Sequence, residues 1–267
     1  MPTPEFNPLY WITKIIACAV FLQGVELLQI RRSFASDGIW KWETLCKEFE
    51  IFPGIVQWFL RITLDYPRFL IVIVTQIALA IALLVMEQPH PAFFIGLLAT
   101  TSLIALRWRG TFNGGADYMT VLVLLMLSIE AVFHGNPIVR LGCLWYLAIQ
   151  AILSYFISGL VKVRNTDWRS GCAIQRFLCG PPYDPPAFFV GLSKHSRLML
   201  LSSWMLIAFE VSFPLTLQGP AVCAVFLCAA LLFHVLNFGA FGLNRFIFAW
   251  SATYPALYFC STQHIFK

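Results

Sequence analysis

The chain has 267 residues, of which 59% are hydrophobic and only 12% are charged. Soluble domains contain about 45–50% apolar and about 25% charged residues, so this composition excludes a soluble globular protein and predicts one that crosses a membrane several times. The net charge of +5 does not indicate nucleic-acid binding, because basic residues of a membrane protein mainly set its orientation and contact lipid phosphates.

The predicted elements are apolar segments, and a spanning helix needs roughly 20 mostly apolar residues. This length predicts seven or eight spanning helices, over residues 9–29, 67–86, 91–107, 117–134, 138–162, 197–215, 220–242 and 244–262. The segments do not alternate between polar and apolar residues, as the strands of a membrane barrel would. The predicted fold is therefore all-α, a polytopic transmembrane helical bundle, and we interpret residues 1–267 as a single domain.

Two long connections interrupt the apolar segments. The connection between the first two places aromatic residues among charges, a pattern typical of interfacial helices; these aromatic residues are Trp40, Trp42, Trp58 and Phe59. The connection between the fifth and sixth has prolines at 181, 182, 185 and 186, which forbid a continuous helix. This second connection also carries Cys172 and Cys179, which could form a disulfide only in an oxidising compartment.

The distribution of basic residues indicates an orientation in the membrane, and the histidines and cysteines indicate whether a metal site is present. Most of the 18 lysines and arginines lie in alternate connections, and the positive-inside rule places those connections in the cytoplasm. The five histidines are scattered and the eight cysteines show no metal-ligand spacing, so the sequence predicts no metal site.

Polar residues recur along one face of the fifth apolar segment, at Gln150, Ser154, Ser158 and Lys162. Residues four apart share a face of a helix, so these side chains form a stripe. The serines could simply bond to their own backbone, and a lysine at a helix end could reach lipid headgroups. Alternatively, Lys162 is a chemical base held where water is scarce.

Four further polar residues lie in or next to three other apolar segments. In the seventh, His234 and Asn237 share a face with Phe241, which indicates either a site or hydrogen bonds between helices. In the sixth, a carboxylate at Glu210 would take up a proton or find a partner. Asp117, which opens the fourth, is placed to cap that helix.

Short motifs occur in a characteristic order along the chain: Asn113, Gly114 and Gly115 with Asp117; Gly159 and Lys162 followed by Asp167 and Trp168; Glu210; then Phe233, His234 and Asn237, with Pro255 beyond them. In this order they resemble the horizontally transferred transmembrane (HTTM) domain. That domain is the membrane part shared by the vitamin K-dependent gamma-carboxylase and many bacterial proteins.

The resemblance implies roles for these residues. Lys162 would be a catalytic base that deprotonates a quinol, with His234 as a second catalytic residue, and a quinone or hydroquinone would be the bound group. Further binding residues would be Asn237, Glu210, Asp167, Trp168, Asn113 and Asp117. Desolvation of a lysine at a helix end favours the neutral amine that a general base requires. Four aromatic residues would suit a flat ring: Phe156, Phe233, Phe238 and Trp250.

Two hypotheses about function remain open at this point. The first is an enzyme that performs proton transfer on a quinol-like or other lipid-soluble substrate. The second is a non-enzymatic membrane module for the maturation, export or tolerance of a partner peptide, with membrane lipid around it and a thiol oxidoreductase as a further possible partner. Orientation is also open, since the resemblance places the site on the lumenal side whereas the basic residues place the connection over 162–197 in the cytoplasm.

Overall fold

The computed structural model describes residues 6–107, 114–180 and 183–263. Within these ranges all regular structure is helical and there are no strands, which confirms the all-α prediction. The chain divides into two compact units, Met1–Arg140 and Leu141–Lys267. The interpretation of residues 1–267 as a single domain stays a prediction.

Unit 1 contains α1 (Pro8–Gln29), α2 (Trp42–Leu45), α3 (Gly54–Leu64), α4 (Phe69–Val85), α5 (Pro91–Arg107) and α6 (Gly115–Val132). A lysine of α1 caps the end of α4: Lys14 Nζ donates hydrogen bonds of 2.8–2.9 Å to the main-chain carbonyls of Leu83, Leu84 and Met86. The last carbonyls of a helix have no partner within the helix, so Lys14 stabilises the C-terminal end of α4.

A buried arginine organises the connection between α1 and α4. Arg107, only 3% exposed, donates to the carbonyls of Leu64 and Trp40. Its guanidinium lies 5.4–5.9 Å from the ring centroids of Phe34, Trp42 and Phe69. Trp42 is only 5% exposed and its ring packs against Arg107 in the core of unit 1, so this ring does not face lipid headgroups. Trp58 and Phe59 are 60% and 48% exposed, and their interfacial role stays a prediction.

Unit 2 holds most of α7 (Pro137–Arg164), then α8 (Thr166–Arg169), α9 (Cys172–Cys179), α10 (Ala187–Ser193), α11 (Ser196–Ser212), α12 (Pro220–Phe241), α13 (Asn244–Ser251) and α14 (Tyr254–Ser261). Helices α7 and α11 approach closely at Gly159. A Cβ atom at Gly159 would lie 2.8 Å from the main-chain nitrogen of Val211 and 2.9 Å from the Cβ of Glu210. Only a glycine allows this approach.

The length and composition of the helices show an integral multi-pass membrane protein. In the described ranges, five helical segments are long and apolar enough to cross a membrane: α1, α6, α7, α11 with its extension to Gln218, and α12. The number becomes six if α3 and α4, bent by 72°, form one broken span. The described residues thus show five or six candidate spans, and any further span among the predicted seven or eight stays a prediction.

Two of the eight predicted segments are not among these candidate spans, namely the last segment and the third, which is α5. The predicted helix over 244–262 is interrupted at Ala252 and Thr253, which separate α13 and α14. Each of these has eight residues, or about 12 Å of helix, against a hydrocarbon core about 30 Å thick. Helix α5 is apolar and is described over 17 residues, at the lower end of the range for a spanning helix.

The connection between α7 and α11 is folded into three short helices. Cys172 and Cys179 are both free and stand at the two ends of α9, about 10 Å apart along its axis. This separation is too large for a disulfide. Pro185 and Pro186 immediately precede α10, in agreement with the predicted break, and prolines 181 and 182 lie outside the described residues.

Candidate functional site

A cavity of about 170 Å³ lies within unit 2. Helix α7 lines it with Ser154, Tyr155, Ser158 and Lys162, and α11 with Glu210; the other lining residues are Phe233, His234, Asn237, Leu243, Phe246 and Trp250. The cavity therefore brings together four predicted catalytic or binding residues, Lys162, Glu210, His234 and Asn237. It also contains Ser154 and Ser158 of the predicted stripe and two of the predicted aromatic residues, Phe233 and Trp250. An engineered cavity of about 150 Å³ holds one benzene ring, so this cavity matches a single six-membered ring.

One polar side of the cavity is a buried ion pair. Lys162 Nζ lies 2.7 and 2.8 Å from the two carboxylate oxygens of Glu210, and these side chains are only 12% and 2% exposed. Ser158 accepts from Lys162 at 2.5 Å and donates to Glu210 at 3.2 Å. The ring centroid of Trp168 lies 5.0 Å from Lys162 Nζ. The expectation that Glu210 finds a partner is thus confirmed, and Lys162 turns to this carboxylate rather than outward.

A second polar group is a histidine joined to two tyrosines. His234 Nε2 is 2.7 Å from the hydroxyl of Tyr155, which is itself 3.2 Å from the hydroxyl of Tyr254. His234 and Tyr155 are 2% and 3% exposed. The other ring nitrogen, Nδ1 of His234, has no hydrogen-bond partner among the described residues. His234 therefore retains one unused polar atom in a buried ring.

Aromatic rings form much of the remaining wall. Phe246 and Trp250 stack with centroids 5.1 Å apart and an interplanar angle of 7°. The imidazole of His234 lies 5.5 Å from Trp250 and 5.1 Å from Phe233. Trp250 Nε1 donates to Ser154 at 3.3 Å. Such faces favour stacked or edge-on contact with a flat ring.

Comparison with known proteins identifies the family. The model of the HTTM domain matches residues 126–263, just over half of the chain. The chain belongs to the HTTM domain family. No curated protein and no solved structure matches it. The matched range contains every residue that lines the cavity, whereas Asn113 and Asp117 precede it.

Four predicted binding residues of this HTTM protein differ in whether they line the cavity. Asn237 lines the cavity and donates to the carbonyl of Phe233 at 2.8 Å. Trp168 lies against Lys162 but does not line the cavity. Asp167 is 43% exposed and pairs with Arg176, and it does not line the cavity. Asn113 lies outside the described residues.

The predicted cap of the fourth helix is wrong. The cap residue is Gly114, the helix begins at Gly115, and Asp117 is in its first turn. A carboxylate there still interacts favourably with the helix dipole. Asp117 belongs to unit 1, whereas all residues that line the cavity belong to unit 2.

The prediction that Phe156 and Phe238 contact a flat ring in the site is also wrong, and other aromatic residues line the cavity. Phe156 and Phe238 do not line the cavity, and Phe238 is 48% exposed. Tyr155 was not predicted, although it lies seven residues before Lys162 and therefore on the same face of α7. The contribution of Phe246 and the contact of Tyr254 with Tyr155 were not predicted either, because they depend on how α13 and α14 fold back.

The described residues contain no group of three or more His, Cys, Asp or Glu side chains able to hold a metal ion. The polar groups that line the cavity of this HTTM protein are one amine, one carboxylate, one imidazole, the amide of Asn237, the indole N–H of Trp250 and several hydroxyl groups. An amine paired with a carboxylate can exchange protons with a bound hydroxyl group, and the imidazole can donate or accept a hydrogen bond.

Proposed function

We propose that this protein binds the ring of a lipid-soluble phenol or quinol in the cavity of unit 2 and removes a hydroxyl proton with the Lys162–Glu210 pair. The observation that carries the proposal is a buried ion pair on the wall of an apolar cavity of ring size. Ionisable groups within membrane-spanning segments are costly and tend to serve function. The aromatic faces of Phe246 and Trp250 supply a matching surface for a flat ring.

The pair can accept a proton without creating net charge in the site. Lys162 and Glu210 share one ionisable proton, so they are either ammonium and carboxylate or amine and carboxylic acid. A ligand hydroxyl that gives its proton to either form leaves an ammonium, a carboxylic acid and a phenolate oxygen. The total charge of the site stays zero, and the ammonium is available to pair with the phenolate. This balance matters because unpaired charge is expensive in surroundings of low polarity.

Ser158 and Trp168 support this step by holding the amine. Ser158 bonds to both members of the pair, so it fixes the position of Nζ relative to the carboxylate. The Trp168 ring attracts the ammonium from another direction. A base has to lie within hydrogen-bond reach of the proton that it removes, and these contacts keep Lys162 at the wall of the cavity.

The proposal can be tested with 4-nitrophenol, whose phenolate absorbs at longer wavelength than the phenol. The protein is placed in lipid nanodiscs at a pH where the free probe is mostly un-ionised, and empty nanodiscs correct for partitioning into lipid. We expect a phenolate band with the wild type and its loss in Lys162→Met. The matched control is Lys194→Met, which removes an exposed lysine and leaves the band unchanged.

Thermal unfolding shows whether each variant is folded. A wild type that binds the probe only as the neutral phenol contradicts the proposal, and so does a band of full strength in folded Lys162→Met. Failure of the wild type to bind the probe at all also counts against it, because the cavity is proposed to be the binding site for the ring.

A further inference from the structure

Residues 163–197, here called the basic segment, form a surface of unit 2 outside the cavity. The segment runs from the end of α7 through α8, α9 and α10 to the start of α11. Leu178 of α9 packs with Met199 in the first turn of α11 and Ala240 in the last turn of α12, and Phe189 and Leu192 of α10 pack against this cluster. Because α7, α11 and α12 are candidate spans, the basic segment lies against their ends at one face of the membrane.

The basic segment also folds closely onto the first turns of α11. A Cβ atom at Gly171 would lie 2.6 Å from the main-chain nitrogen of Leu200. One turn further along α11, Trp204 Nε1 donates to the main-chain carbonyl of Arg169 at 3.1 Å. These contacts bring the cations that follow α7 to the same end of unit 2 as the cations that begin α11.

The exposed side of the basic segment carries an excess of positive charge. Its only acidic residues are Asp167 and Asp184, and Asp167 is paired with Arg176. Against these two stand five exposed cations, so the net charge is +3 with His195 neutral; the cations are Arg164, Arg169, Arg176, Lys194 and Arg197. Among the described residues, no ion pair engages any of these cations except Arg176.

The other long basic connection, over residues 31–68, differs in charge. It contains six lysines and arginines but also five acidic residues, so its net charge is only +1. Counted by cations alone, the two connections are alike. Only the basic segment combines a large excess of positive charge with a position against the ends of three candidate spans of unit 2.

Apolar rings are exposed beside these cations. Phe188 of α10 is 70% exposed and Phe177 of α9 is 44% exposed. Aromatic rings next to lysines and arginines are typical of segments that lie in the membrane interface, where the rings enter the boundary of the acyl chains and the cations meet the headgroups. Clusters of about four to eight basic residues next to a spanning helix recognise anionic lipids.

We propose that the basic segment is a binding surface for anionic phospholipid headgroups, with Arg164, Arg169, Lys194 and Arg197 contacting the phosphates. An acidic peptide would match the charge, but a lipid leaflet also covers the exposed ring of Phe188 and is adjacent to the ends of spanning helices. This role concerns the outer surface of unit 2 and does not depend on what the cavity binds.

Native mass spectrometry of the protein in detergent tests the proposal. Phosphatidylglycerol and phosphatidylcholine with the same acyl chains are added in equal amounts, and the quantity compared is the ratio of bound phosphatidylglycerol to bound phosphatidylcholine. We expect a ratio of about five or more for the wild type, because each cation near an anionic surface contributes roughly a factor of five in affinity.

A fourfold variant removes the charges of the surface: Arg164→Gln, Arg169→Gln, Lys194→Gln and Arg197→Gln. We expect its lipid ratio to fall to about one, since the excess of cations is lost. The matched control removes four exposed cations from the other connection: Arg31→Gln, Arg32→Gln, Lys41→Gln and Lys47→Gln. We expect the ratio of this control to stay within about twofold of the wild type.

Three results would overturn the proposal. The first is a wild-type ratio near one, and the second is an equal fall in both fourfold variants, which would show an effect of total charge. The third is a wild type that has no lipid preference but binds a polyglutamate peptide through the same four cations, which would assign the surface to an acidic peptide. Should the fourfold variant fail to fold, the double variant Lys194→Gln/Arg197→Gln is compared with Lys41→Gln/Lys47→Gln, and equal ratios there overturn the proposal.

Discussion

Replacement of Gly159 by alanine tests whether the site depends on the close approach of α7 and α11. The new Cβ atom would lie 2.8 Å from the main-chain nitrogen of Val211. Ordinary contacts of a Cβ atom begin at 3.4 Å, so the helices have to separate by about 0.6 Å at this point. Backbone atoms cannot rotate away as a flexible side chain does. The clash therefore has to be relieved by movement of α11, which carries Glu210.

The expected change in stability of Gly159→Ala follows from two opposing effects. Alanine in place of glycine within a helix stabilises by up to about 1 kcal/mol, whereas overpacking costs about 1–3 kcal/mol. Gly142 provides the matched control, since it lies in the same helix and a Cβ there would have no heavy atom within 4 Å. The helix-propensity gain is common to both variants and cancels in their comparison. Gly159→Ala is thus expected to be about 1–3 kcal/mol less stable than Gly142→Ala.

Thermal unfolding of the purified protein in detergent measures this difference. For proteins of 150–250 residues, 1 kcal/mol shifts Tm by about 2–4 °C, so we expect Gly159→Ala to unfold roughly 2–12 °C below Gly142→Ala. The same displacement would lengthen the contacts between Lys162 and Glu210, and we expect a weaker phenolate band with 4-nitrophenol. Equal Tm values for the two alanine variants would refute the close approach of the helices on which this reasoning depends.

Three further predictions concern cations that are buried or half-buried. Lys162→Met is expected to lower the free energy of unfolding by about 3 kcal/mol, because it leaves Glu210 buried without its partner. The double variant with Glu210→Met is expected to recover most of that loss. Thermal unfolding that finds the double variant less stable than Lys162→Met would contradict this expectation. Lys14→Met is expected to lower the free energy of unfolding by about 2 kcal/mol, because three carbonyls at the end of α4 lose a charged donor, and faster amide exchange over 80–86 would locate the effect. Arg107→Lys is expected to lower Tm more than Arg61→Lys does, because an ammonium cannot reproduce the planar contacts of the guanidinium. Equal Tm values for the two variants would show that a positive charge at position 107 is enough for stability and that the planar contacts are not needed.

The membrane character and the helical class could be read from composition, because apolar length alone decides them. The number of spans could not, because hydropathy measures composition and not continuity. The segment over 244–262 is apolar enough throughout, yet it turns at Ala252 and Thr253, and Pro255 occupies the first turn of α14. Trp42 illustrates the same limit: an aromatic residue among charges fits a lipid interface or a packed cation, and only tertiary structure distinguishes them.

The part of the candidate site that one helix, α7, contributes could be predicted from the sequence. Period-four spacing placed Gln150, Ser154, Ser158 and Lys162 on one face of α7. The last three line the cavity, whereas Gln150 does not. The partnership of Lys162 with Glu210 was not predictable from spacing, because 48 residues separate them and the contact depends on Gly159. The Tyr155–Tyr254 contact likewise requires α14 to fold back towards α7.

The way in which the two units use their cations indicates where the chemistry lies. In unit 1, Lys14 and Arg107 direct their donors to main-chain carbonyls at helix ends and in a connection, so both are explained by the structure that they stabilise. In unit 2, Lys162 bonds only to side chains, those of Ser158 and Glu210, among its described hydrogen bonds. A buried ion pair of this kind adds little stability, because apolar residues of similar volume often do as well or better. Its position beside an apolar cavity, together with the unpaired nitrogen of His234, favours a role in handling the proton of a bound ring over a role in holding the fold together.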